Sequence, residues 1–319
     1  MLPRWTRPAT LREAREHDGH KQMTTTSDRV LGVLGLFTLD EPEWTVEDAA
    51  ARLDLAVSTA YRYFRSLSKA GLIVALATGR YVLGPAIIQY DRQIRLQDPL
   101  TNAAQPIMKR LAEQLPPHAV VLLCRLFRSQ VICVHQEFTA RPDFAVSYER
   151  GRPMPLFRGA SSKSILANMP LRAVKALFEE QQAKFAQASL GRSWDEVKER
   201  LRELRAAGVS VTQAELDPGM CGIAVPLFET TGIVIGSLSV VLPAQHLGAS
   251  LVSDITQLLK SAAEEVSWAL SLRTGGTASS SPTPQPGKRR SPAARSRTGR
   301  KQHRQVSGDL KPARKRARA

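Results

Sequence analysis

The stretch Thr45–Leu83 constrains this chain more than any other, because two short helices, a three-residue turn and a glycine-marked hairpin leave few ways to bury their apolar stripes. Thr45 is placed to cap the first helix, and Asp48, three residues on, is placed to bond back to the cap. Val46, Ala49, Ala50 and Leu53 then recur at helical spacing, with Ala49 small enough for a second helix to approach closely. Asp54-Leu55-Ala56 reads as the turn. Asp tolerates a left-handed backbone there, whereas Ala56 offers no side-chain cap to the next helix, a loss of about 1 kcal/mol. The second helix, Val57–Lys69, is expected to bury Val57, Ala60, Phe64 and Leu67. Beyond Gly71, Leu72–Ala75 and Arg80–Leu83 are β-rich runs joined through Thr78-Gly79, which predicts a two-stranded wing.

The outer face of the second helix carries Ser58, Thr59, Tyr61, Arg62 and Arg65, and Arg80 stands at the wing tip. Hydroxyls and guanidiniums near the start of such a helix suit base edges and phosphates in a major groove, so the expected partner is double-stranded operator DNA. Arg80 needs only a phosphate at the right height. The alternative is a small helical domain that docks a protein. Between Ser27 and Gly84 there are six basic and seven acidic residues, so any attraction to DNA requires segregated charge rather than net charge. The acids Asp40, Glu41, Glu43, Glu47 and Asp48 precede or open the first motif helix, while Arg62, Arg65, Lys69 and Arg80 gather on the second helix and wing.

On either side the pattern changes. Residues 1–26 read as a disordered extension in which Met23 is a candidate translation start, and Ser27 is expected to cap a helix that buries Val30, Leu31, Leu34 and Phe37. Residues 27–84 form the DNA-binding domain in this reading, 85–98 a helical linker with Ile87, Ile88, Ile94 and Leu96, and 99–273 a second domain. There, a helix with Ile107, Met108, Leu111 and Leu115 stops at Pro116-Pro117. Ala119–Phe127 and Val131–His135 form a hairpin, and Phe144–Tyr148 is a third strand candidate. Helices are expected from Ser161, over Leu171–Phe185 and over Trp194–Ala207, the last ended by Gly208. Strands return at Val209–Thr212, Ile223–Phe228 and Ile233–Val241, before a helix from Leu251 to about Leu272. The fold class is therefore α+β, with a mostly antiparallel sheet flanked by helices.

Both halves resemble the IclR family of bacterial transcription regulators. The first half does so through Arg62, Arg65 and Gly79-Arg80-Tyr81-Val82-Leu83-Gly84. The second does so through Leu156-Phe157-Arg158-Gly159-Ala160-Ser161-Ser162-Lys163-Ser164 and Glu215-Leu216-Asp217-Pro218-Gly219-Met220-Cys221-Gly222-Ile223-Ala224-Val225-Pro226. The resemblance implies a GAF-like effector-binding domain, a homodimer or dimer of dimers, and control of genes of small-molecule metabolism. It places ligand contacts at Ala160, Ser161, Thr212, Gly222, Ser239 and Val241. Where relatives that hold small acids have Asp, Cys and Ser, this chain has Thr212, Gly222 and Val241, which implies a roomier, less polar pocket. The helix start near Ser161 could hold a carboxylate through backbone N–H groups, so an aromatic or other organic acid is the expected effector. Cys221 sits one residue aside from the family's usual Cys.

No catalytic residue, cofactor or metal is expected. P-loop, dinucleotide and nucleophile-elbow motifs are absent from the sequence. Cys133 and His135 are too few to hold a metal, and Lys163 at a helix start reads as contacting backbone or solvent. Three cysteines fit a reducing cytoplasm, and no apolar run reaches membrane-spanning length. The formal charge of +16 is concentrated at one end: 14 of the 45 Lys and Arg lie from Arg273 onward, against the single acid Asp309. Residues 274–319 read as a disordered basic tail able to bind polyanions. Two other functions stay open at this point: an architectural DNA-binding protein working through that tail, and an enzyme using the second domain's pocket.

Overall fold

The computed structural model describes residues 25–140 and 147–275. The N-terminal extension, most of the Phe144–Tyr148 segment and the basic tail lie outside the described residues.

The chain opens with α1 (Thr26–Leu36), α2 (Val46–Arg52) and α3 (Val57–Lys69), followed by the hairpin β1 (Ile73–Ala75) and β2 (Tyr81–Leu83). Thr25, rather than Ser27, caps α1, in a reciprocal capping box with Asp28. The buried stripe also differs by one residue: Val33 is fully buried at the i+3 position between Val30 and Leu34, whereas Leu31 is exposed. At α2 the Thr45 hydroxyl accepts from the Asp48 N–H at 3.1 Å and donates to the Asp48 carboxylate at 2.7 Å. The turn follows the sequence closely, with Asp54 at φ 52° and Ala56 giving α3 no side-chain cap.

Helix α3 buries Ala60, Tyr63, Phe64 and Leu67, and Val57 is exposed instead of joining the core. Val57 occupies the first helical position, and Tyr63 joins Ala60, Phe64 and Leu67 in the stripe instead. Phe64 meets Tyr81 edge-on, ring centroids 4.9 Å apart, and Trp44 bridges to Tyr81 through backbone bonds, so the hairpin is fixed against the helices.

Helix α4 (Ala86–Gln97) leads to α5 (Pro99–Glu113), which is capped by Asp98 with Pro99 in its first turn. Then come β3 (Val120–Phe127), β4 (Gln130–Glu137), β5 (Pro153–Pro155), α6 (Ala160–Asn168), α7 (Leu171–Gln187), α8 (Trp194–Ala207), β6 (Ser210–Gln213), β7 (Met220–Phe228), β8 (Val234–Pro243) and α9 (Ala249–Gly275). The six strands lie in the order β5-β4-β3-β8-β7-β6, every neighbour antiparallel. The described edge strands are β5 and β6, and two prolines disguise β5; an edge strand tolerates them because its outer side needs no donors. Ser147 and Tyr148, the described part of the expected third strand, are not in a strand.

Alternation along the strands splits the core. Leu123, Ile223, Val225, Leu238 and Val240 meet α5 and α9 on one face, while Leu122, Cys124, Val120 and Val241 meet α6, α7 and α8 on the other. Gly208 ends α8 in the left-handed conformation (φ 64°).

Candidate functional site

Two surfaces collect the residues singled out by sequence. The first is the outer face of α3. Ser58, Tyr61, Arg62 and Arg65 are exposed on one side of the helix, and Thr59 is half-buried at its margin. Neither Arg62 nor Arg65 has an ion-pair partner among the described residues. Arg80 is exposed at the hairpin tip, but the Glu43 carboxylate stands 4.0 Å from it, so this cation is shared in a way the sequence did not show.

The second surface is a recess of about 350 Å³, counted to its open mouth, between the start of α6 and the β6–β7–β8 end of the sheet. All six of Ala160, Ser161, Thr212, Gly222, Ser239 and Val241 line it. Their convergence follows from register. Thr212 pairs with Gly222 and Gly222 with Val241, so these three form one rung across the sheet, while Ser239 lies two rungs on, on the same face, opposite Ala224. Gly222 allows α6 to approach closely, since a Cβ there would lie 3.2 Å from that of Ala160. Gly159, at φ 83°, is required outright: a Cβ would meet Leu216 at 2.4 Å and the Tyr148 hydroxyl at 2.9 Å.

The hydrogen bonding is uneven in an informative way. Ser161 and Ser239, both buried, satisfy each other at 2.7 Å. The first three N–H groups of α6 have no intrahelical acceptor. That of Ser162 reaches the Tyr148 hydroxyl at 3.3 Å, and those of Ala160 and Ser161 are without an acceptor among the described residues. The Thr212 hydroxyl also lacks a partner among the described residues, although Thr212 is only 9% exposed. Three donors therefore converge on one end of the recess.

Several lining residues were missed by sequence, and they make the wall more polar than expected. Tyr148 is buried, its hydroxyl bonded to Ser162 at 2.7 Å and to the Arg158 carbonyl at 3.2 Å. Burial pushes its phenol well above the usual range, so it stays neutral. The β6–β7 loop adds Glu215, Leu216 and Asp217. Asp217 accepts from the Ser147 N–H at 2.8 Å and from its hydroxyl at 2.5 Å. Glu215 accepts from the Gly159 N–H at 3.0 Å and from Lys163 at 2.5 Å, and its carbonyl accepts from Arg158. Lys163, expected to contact backbone or solvent, is a nearly buried partner of a carboxylate. The two acids stood in the quoted sequence, but their partners come from distant segments, and Tyr148 carried no local signal.

The cysteines do not form a reactive site. Cys133 lies opposite Cys124 on the neighbouring strand, and its thiol is raised by that contact and by burial. Cys221 turns into the α5–α9 side of the core, and burial raises its thiol as well. Among the described residues no group of His, Cys, Asp and Glu is placed to hold a metal, and no helix is long and apolar enough to cross a membrane.

Comparison with known proteins places this geometry in context. The sequence model for the IclR helix-turn-helix domain matches residues 26–76, and that for the bacterial transcriptional regulator IclR C-terminal region matches residues 96–268, more than half of the chain. The Pca regulon regulatory protein of Pseudomonas putida is 23% identical over 240 residues, which cover 75% of this chain and 80% of that protein. Among solved structures, an IclR transcriptional regulator from Alicyclobacillus acidocaldarius superposes with a TM-score of 0.62 at 24% identity, covering 77% of this chain and 98% of that one. An IclR homologue from Microbacterium hydrocarbonoxydans, complexed with 4-hydroxybenzoate, does so with a TM-score of 0.61 at 21% identity, covering 78% and 100%.

Proposed function

The chain belongs to the IclR family of bacterial transcriptional regulators, and on that premise we propose that a small organic acid enters the recess under α6 and thereby shifts operator binding by the α3 face. Family membership makes it a ligand-responsive, DNA-binding regulator of metabolic genes; recognition, not catalysis, is its activity. The finer reading takes residues 27–84 as the DNA-binding domain, 85–98 as the linker and 99–273 as a GAF-like effector domain. It takes a homodimer as the working unit, with two α3 helices meeting a pseudo-palindromic operator. In it Ser58, Thr59, Tyr61, Arg62 and Arg65 read the groove, and Arg80 touches backbone.

One observation carries the effector's chemistry: the unpartnered Thr212 hydroxyl and the free N–H groups of Ala160 and Ser161 converge where α6 begins. A carboxylate accepts such bonds and is favoured at a helix N-terminus. The recess lining contains no Lys, Arg or His, and its two acids are already engaged, Glu215 by Lys163 and the Gly159 N–H and Asp217 by Ser147. The seat therefore suits one carboxylate on a ring or short chain, not a multiply charged anion. The 4-hydroxybenzoate held by the Microbacterium homologue has that chemistry. Ligand preference for one of two conformations then shifts their populations, and operator affinity with them.

Titration calorimetry of the full chain with benzoate and 4-hydroxybenzoate, in wild type and Thr212→Val, tests this reading. Binding of an acid that weakens in Thr212→Val supports it. Saturable binding of neutral or cationic metabolites, with none by monocarboxylates, overturns the acid assignment.

A further inference from the structure

The residues that close the recess are joined within four positions of chain to the helix that leads into the DNA-facing half. Ser147 is held by Asp217 of the lining loop, through its N–H at 2.8 Å and its hydroxyl at 2.5 Å. Tyr148 is itself part of the lining, and its carbonyl accepts from Gln136 at 2.9 Å. Two residues later Arg150 leaves the recess. Its Nε donates to the Val134 carbonyl at 2.9 Å and its Nη2 to Asp91 of α4 at 2.6 Å. That contact, more than any other, holds the Asp91 carboxyl below its usual range.

Asp91 matters because α4 has little else to hold it. Ala86 is its one buried residue, and Ile88, Tyr90 and Ile94 are all half or more exposed. At its first turn α4 is tied to the end of α3: the Ala86 N–H donates to the Gly71 carbonyl at 3.1 Å and Gly84 N–H to Leu72 at 2.8 Å. Gly84 is pressed so closely on Gly71 that a Cβ would lie 2.3 Å from its carbonyl oxygen. A displacement of α4 is therefore passed on to α3 with little slack; the sheet domain holds α4 at Asp91 through Arg150, and α5 holds its last turn through the Asn102 amide, which donates to the Leu96 carbonyl at 2.9 Å.

We propose that Ser147–Arg150 is a strut between the effector recess and the DNA-facing helix, with Arg150 as the positioning residue that transmits the state of the Asp217–Ser147 latch to α4. The proposal rests on the reading of the recess as an effector site for its biological meaning, but the mechanical coupling stands apart from any ligand. The bistable element is the latch, made here and broken when the β6–β7 loop moves, and the grip on Asp91 differs between its two states.

Hydrogen exchange of residues 86–97 in the full chain measures the coupling without a ligand. Arg150→Gln is expected to speed exchange of α4 roughly tenfold, as loss of one charge-assisted hydrogen bond from a local opening equilibrium does. Asp217→Ala, far from α4, is expected to speed the same amides several-fold, and the double variant to be no faster than Arg150→Gln alone. Ser147→Ala removes only the hydroxyl half of the latch and gives the same test in a milder form. Arg95→Gln, which leaves the Arg150–Asp91 pair in place, should preserve the effect of Asp217→Ala. The proposal is overturned if both latch variants leave α4 unchanged, or if Asp217→Ala multiplies its exchange equally with and without Arg150. Failure of every acid to bind would sink the effector reading and leave this result standing.

Discussion

The α3 face and the recess under α6 both present hydroxyls and N–H donors with charged side chains beside them, yet they hold the charges in opposite states. On α3 the groups are exposed, and Arg62 and Arg65 are left to solvent. Under α6 the charged groups are paired, Lys163 with Glu215 and Asp217 with Ser147, and only small neutral donors are left open. Water bears the cost of unpaired charge on the surface, whereas a buried charge needs a fixed partner. In the proposed reading, the difference separates a surface suited to a polyanion from a cavity suited to one small molecule.

The largest expected effect breaks the pairing. Lys163→Met leaves Glu215 without its cation and should cost about 2–4 kcal/mol of stability, below the full range for a buried pair because Glu215 is partly exposed. Arg62→Met, the matched change on α3, should stay within about 0.5 kcal/mol of wild type. Thermal and urea denaturation of the two variants check the contrast, and equal losses would erase it. Next in size is base reading. Arg62→Ala or Arg65→Ala should lose about 1–3 kcal/mol of discrimination between an operator mapped by footprinting on the DNA upstream of its own gene and random DNA if the guanidinium bonds a base bidentately. An equal loss on both DNAs, followed by fluorescence anisotropy, would assign it to phosphate.

How much of each surface could be read in advance follows from how it is assembled. Helix α3 is one continuous element, so periodicity located its bounds and its exposed side. Its errors were errors of neighbourhood: Val57 for Tyr63 in α3, and Leu31 for Val33 in α1, where the true cap lies two residues earlier. The recess is assembled from α6, three strands and a loop, and periodicity is blind to such convergence. Resemblance, not spacing, led to Thr212, Gly222 and Val241, and sheet register explains why they meet. The polar wall of Tyr148, Glu215 and Asp217 stayed hidden because each gains its partner across a long stretch of chain. Strand β5 was hidden by its own prolines.

Smaller effects sharpen the contrast inside the recess. Ser239→Ala removes one member of a buried hydroxyl pair and should cost about 1 kcal/mol of stability, while Thr212→Val removes a hydroxyl with no partner and should cost almost none. Calorimetric unfolding distinguishes the two. Acidity should matter little to the grip on α4. The Asp91 carboxyl is depressed, so its contribution is fully present above the unfolded value near 3.9 and is lost only as pH falls through the lower folded value. Exchange rates of α4, corrected for intrinsic chemistry, should be flat from about pH 5 to 8.

In the proposed function the recess controls DNA binding without touching DNA. The most direct test is an anisotropy titration of the footprinted operator, with wild type and Thr212→Val, across a series of concentrations of the acid that calorimetry identifies. Operator affinity is expected to be equal in the absence of acid, with an acid-dependent shift whose midpoint moves about 2- to 10-fold higher in the variant, the equivalent of one lost hydrogen bond. A change in operator affinity without acid, or a midpoint that does not move, would contradict it.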